Sequence, residues 1–166
     1  GKLNLRPNSR GGWYQASGHS ARTFIIMGER TGATPDGRRA GEEMSKNISP
    51  TMGADVNGVT ALIDSATAID CADLPGDFPL DVMMHPATVQ GEEGLAAMRT
   101  LLYAYLAKYG MAIHFNIFDA AVLEDAQKHP EKYSHLVVRV AGYSALFTTL
   151  SRSLQDDIIR RTEQGF

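Results

Sequence analysis

Hydrophobic positions along this chain become regular only after Gly58. From Val59 to Ile69, apolar Leu62, Ile63, Ala66 and Ile69 recur at helical spacing. Leu80, Val82, Met83 and Met84 mark a short strand that ends before His85 and Pro86. The strongest helix signal runs from about Glu92 to Tyr109, with Leu95, Met98, Leu102, Tyr105, Leu106 and Tyr109 on one stripe. Glu92 and Glu93 suit its positive N-terminal end, and Gly110 is a stop signal. Met111 to Phe118 alternates, with Met111, Ile113, Phe115 and Ile117 on one face and His114 and Asn116 on the other. Asp119 can cap a helix that runs to about His129, where Pro130 closes it. Leu136 to Val140 is β-rich, and a last helix is expected from Ser151 or Ser153 to Gln164, with Leu154, Ile158 and Arg161 in register. This alternation of helices and strands predicts an α/β fold.

The first third reads differently. Ten of the sixteen glycines lie between Gly1 and Gly58, with Pro7, Pro35 and Pro50 among them. Only Arg22 to Met27 reads as a strand there. Loops bury little apolar surface and still lose entropy on ordering, so residues 1–58 are expected to pack on a partner or on a missing remainder. Residues 59–166 are expected to form the ordered domain.

Composition narrows the classes. A length of 166 residues fits one domain with a real core. A net charge of −3 argues against a nucleic-acid footprint or a polybasic membrane patch, and no apolar run reaches the ~20 residues of a membrane span. A single cysteine, Cys71, rules out an internal disulfide framework and makes a reducing, cytoplasmic location the default expectation. The five histidines show no close pair at metal-ligand spacing, so no metal site is expected. Gly28 to Gly41 lacks the Gly-Lys-Ser/Thr ending of a phosphate loop, and Ser20 lacks a nucleophile-elbow context.

One stretch resists a bland reading. From Val137 to Phe147, Gly142 interrupts a β-branched run, where a glycine loses backbone entropy and packs nothing. A bulge or tight turn accounts for it structurally. The wording Arg139-Val140-Ala141-Gly142-Tyr143-Ser144, however, resembles the radical motif of the glycyl radical enzymes, the pyruvate formate-lyase and diol-dehydratase superfamily. Collinear blocks extend the resemblance: Ala33 to Gly41, Ile48 to Pro50, Phe115-Asn116, Asp125 to Pro130, and Gln155 to Glu163.

The resemblance implies the C-terminal part of a ten-stranded barrel with a glycine loop at about residues 137–147. It implies that Gly142 stores a backbone radical and that Arg139, Val140, Ala141, Tyr143 and Ser144 shape its loop. Glycine suits that role because an α-carbon radical delocalises over the flanking amide and carbonyl, and a Cβ would crowd the planar centre. His114 and Asn116 are candidates for lining the barrel interior, whereas Asp36 and Arg38 are expected to anchor loop structure. No bound cofactor is implied. The radical would be installed by a radical S-adenosylmethionine activase, and the enzyme, acting on a small molecule, would use a thiyl cysteine and assemble as a homo-oligomer. The Ala-Gly-Tyr-Ser wording and the Gln155 to Glu163 tail look more like the dehydratase and lyase branch than pyruvate formate-lyase.

The family's thiyl cysteine sits in a Gly-Cys-apolar-Glu-like loop, which Cys71 does not match. The chain is therefore expected to need a larger part or partner that carries that cysteine. A separate radical subunit, a segment of a longer enzyme, a spare-part protein that restores oxygen-damaged enzyme, and a non-catalytic α/β interaction domain all remain open at this point.

Overall fold

The computed structural model describes residues 4–164, apart from His19, Ala21, Ala141 and Thr162. Its elements in chain order are α1 (Thr23–Glu29), α2 (Val59–Ala66), β1 (Pro79–Met84), α3 (Gly91–Ala107), β2 (Ala112–Ile117), α4 (Ala120–Lys128), β3 (Val137–Arg139), β4 (Ser144–Leu146), α5 (Arg152–Ile159) and β5 (Glu163–Gln164). The fold is mixed α/β, as expected.

β1 lies between β2 and β5, and both pairings are parallel. All six β1 residues are buried, as befits a central parallel strand covered on both faces. On one face, Leu80, Val82 and Met84 pack with Val59, Leu62, Ile63 and Ala66 of α2 and with Leu101 and Tyr105 of α3. On the other, Met83 packs with Leu123 and Ala126 of α4, Val138, Val140 and Phe147 around the β3–β4 hairpin, and Leu154 and Ile158 of α5. Parallel register places His114 beside Asp81 and Asn116 beside Met83, so β2 turns its two polar side chains toward this second layer. Ile113 and Phe115 pack on the first.

Three expectations need correction. Thr23 to Met27 forms a helix, not a strand. Its apolar run is read at helical spacing, since Phe24 and Gly28 are buried while Ile26 and Met27 are exposed. The stripe on α3 is rotated: Gly94, Leu101 and Tyr105 face inward, while Leu95 and Leu106 are exposed, as is Tyr109 beyond the helix end. The side the sheet offers, not the spacing alone, selects the buried face. The last helix ends at Ile159, short of Gln164, and Glu163–Gln164 instead pairs with β1.

Candidate functional site

β3 and β4 pair antiparallel from Val137↔Leu146 to Arg139↔Ser144. Beyond them the Val140 N–H donates to the Tyr143 carbonyl at 2.9 Å, which puts Gly142 at the tip of a tight hairpin. Gly142 has φ +78°, a region that side-chain-bearing residues rarely adopt. The glycine that broke the β-branched run is thus a turn glycine, and it is exposed. The Arg139 side chain folds back along the hairpin: Nη2 donates to the Gly142 carbonyl at 3.0 Å and Nη1 to Ser144 Oγ at 3.3 Å. Val138 and Val140 root the hairpin in the second core layer, while Tyr143 and Ser144 stay exposed. Ala141, expected in the radical loop, lies outside the described residues.

Asn116 holds the hairpin to the sheet. Its Nδ2 donates to the Arg139 carbonyl and its Oδ1 accepts the Arg139 N–H, both at 2.8 Å. This buried amide acts as a substitute strand edge. His114, one register position along, does not reach the hairpin. Its Nδ1 lies 3.0 Å from Asp81 Oδ1. Burial pushes the Asp81 carboxyl up, but the His114 contact together with Arg161 and Lys46 outweighs it and holds the group below the ordinary carboxylate value.

Asp81 belongs to a buried ion cluster that motif reading missed. Lys46 Nζ donates to Asp157 Oδ2 at 3.2 Å and to the Val140 carbonyl at 3.0 Å. Arg161 Nη2 donates to Asp157 Oδ2 at 3.0 Å, one turn along α5 and its C-terminal end. Asp81 carried a signal, being a charged residue inside an apolar run. Lys46 carried none.

The remaining candidates fall elsewhere. Arg38 donates to the carbonyls of Thr31, Gly32, Arg39 and Glu42, so it closes the 31–42 loop as expected of an anchor. Cys71 is buried, and burial, then the Asp70 charge, pushes its thiol up. Among the described residues no group of three His, Cys, Asp or Glu side chains is placed to hold a metal.

Comparison with known proteins assigns this arrangement. A family model described as "Glycine radical" matches residues 44–148, a span that contains Lys46, Asn116 and the whole hairpin. The chain belongs to the glycyl radical enzyme superfamily. It is 46% identical over 161 residues to trans-4-hydroxy-L-proline dehydratase of Clostridioides difficile, covering 97% of this chain and 20% of that protein. It is 41% identical over 145 residues to the 4-hydroxyphenylacetate decarboxylase glycyl radical subunit of the same organism, covering 87% of this chain and 16% of that one. Among solved structures, the B12-independent glycerol dehydratase from Clostridium butyricum superposes with a TM-score of 0.91 at 39% identity, over 99% of this chain and 21% of that one. The chain therefore spans about a fifth of the length of the glycyl radical relatives it matches. The matched region is the C-terminal glycyl radical domain.

Proposed function

We propose that this glycyl radical domain stores a backbone radical on Gly142 and serves a dehydratase- or lyase-type enzyme acting on a small molecule. The observation that carries the reading is the hairpin tip itself. An exposed glycine at φ +78° is presented on a turn whose flanking backbone is held by Asn116 and Lys46 and whose own carbonyl is held by Arg139. Only a residue without Cβ occupies that turn without strain and also permits a planar α-carbon. Two dehydratases and a decarboxylase subunit among the relatives support the branch.

Once installed by a radical S-adenosylmethionine activase, the radical supplies one-electron hydrogen abstraction, relayed through a cysteine outside this chain. The residues described here hold it in place: Arg139 fixes the Gly142 carbonyl, Val140 fixes the root of the turn, and Tyr143 and Ser144 continue the hairpin. Cys71 takes no part, because it is buried and burial pushes its thiol away from ionisation. The larger part of the enzyme carries the thiyl loop and completes the ten-stranded barrel. Residues 1–58 and the exposed Leu95, Tyr103, Leu106 and Tyr109 are surfaces on which it would rest. A separate subunit or a segment of a longer enzyme fits better than a spare part, because the similarity extends far upstream of the hairpin.

Anaerobic activation of the intact protein should produce a glycyl doublet in electron paramagnetic resonance, and Gly142→Ala should abolish it. Air should then cleave the activated chain at residue 142 and release a short C-terminal peptide. No doublet under productive activation, or an intact mass after air exposure, would remove the assignment and favour an interaction domain whose glycine is only a turn.

A further inference from the structure

The ion cluster brings a lysine from far outside the hairpin against the hairpin's own backbone. Lys46 comes from the loop-rich first third, yet it is 3% exposed. Its Nζ donates to the Val140 carbonyl at 3.0 Å and to Asp157 Oδ2 at 3.2 Å, and lies 3.5 Å from Asp81 Oδ2. Arg161 Nη2 lies 3.0 Å from Asp157 Oδ2 and 3.9 Å from Asp81 Oδ2. Two cations thus face two carboxylates. The Lys46 ammonium cannot retreat to solvent without leaving a buried anion uncompensated.

Val140 is the last residue before the turn. Its N–H is bonded to Tyr143 and its C=O to Lys46, so both of its backbone polar groups are committed. An ammonium shared between a carbonyl and two carboxylates ties the ion pairing to the position of that carbonyl, since charge-assisted bonds weaken quickly with distance. Apolar packing around Val138 and Val140 adds burial but no directional bond of that kind.

We propose that Lys46 is a positioning residue for the Gly142 turn, with Asp157 and Asp81 as the counterions that hold its ammonium under the Val140 carbonyl. The catalytic consequence rests on reading Gly142 as the radical site; the mechanical tether does not.

The test uses Lys46→Met/Asp157→Asn, which removes the tether and leaves Arg161 balanced by Asp81. In the intact, unactivated protein, hydrogen exchange at the Val140 amide should accelerate roughly 10- to 100-fold, the range of one hydrogen bond to a charged group. Amides of β1 and α3 should stay near wild type. Unchanged exchange at Val140, or an equal rise in β1 and α3, overturns the tether. In the anaerobically activated enzyme, kcat per radical should fall by roughly tenfold or more while KM holds, as misplacement of a reacting centre demands. An unchanged kcat per radical overturns the catalytic consequence. A wild-type enzyme with no doublet overturns the Gly142 assignment instead and leaves the exchange result standing, so the two failures are separable.

Discussion

Truncating Asn116 to alanine removes two hydrogen bonds at once, each 2.8 Å long and each to the backbone of Arg139. A typical bond of this kind is worth about 1 kcal/mol net, so the hairpin should lose about 2 kcal/mol of local stability. Arg139 is half-buried, and this figure counts the two lost bonds alone. At about 1.4 kcal/mol per tenfold, the open population of the hairpin should rise roughly 30-fold. Trypsin reports this directly, because cleavage after Arg139 requires β3 to leave its partners, and native-state proteolysis tracks the open population when reclosing is fast. Cleavage after Arg139 in the Asn116→Ala protein should therefore speed up by about that factor, while cleavage after Lys108, beyond α3, should not. Asn116→Leu restores volume without the bonds and should be cleaved as fast as the alanine variant. If leucine instead returns wild-type rates, packing holds the hairpin and the hydrogen-bond account is wrong. A rate within about threefold of wild type for alanine would refute it as well.

Three further outcomes are expected. Asp81 has a carboxyl held below its ordinary value, so the stability it contributes is fully present above about pH 3.9 and is lost as pH falls through the lower folded value. The Tm gap between wild type and Asp81→Asn should accordingly be full at pH 7 and narrow below about pH 4; a gap constant down to pH 3 contradicts the ion-cluster account. Gly28→Ala places a methyl 2.6 Å from Glu43 Cα and closer still to the Glu42 carbonyl, so overpacking should cost about 1–3 kcal/mol and lower Tm; an unchanged Tm means α1 and the 42–43 backbone are not in close contact. Cys71→Ala should leave the glycyl doublet at wild-type amplitude, and native Cys71 should resist thiol reagents, because the thiol is buried and pushed away from ionisation. Loss of the doublet would make Cys71 a participant.

Much of the fold was legible because its signals are local. β1, β2 and α4 were readable from short runs, from alternation, and from Asp119, which caps α4 by accepting the Ala121 N–H at 2.8 Å. The N-terminal helix was not, since Phe24-Ile25-Ile26-Met27 is as compatible with a strand as with a helix that buries only Phe24 and Gly28. On α3 the apolar residues occupy more than one face, and spacing alone cannot say which face the sheet covers.

The same division runs through the candidate site. Read along the chain, residue 142 is a glycine inside a β-branched run, two polar side chains share one face of β2, and the single cysteine lacks the Gly-Cys-apolar-Glu-like context. Each of those facts concerns neighbours along the chain. What holds the turn comes from packing across the fold. Lys46 meets Val140 across 94 positions and Asp157 across 111, and Asn116 meets Arg139 across 23. Such partners are chosen by how two layers close on the sheet, and a buried ammonium is stable only where that closure supplies its counterions. No local pattern encodes that meeting, so the glycine was readable and its tether was not.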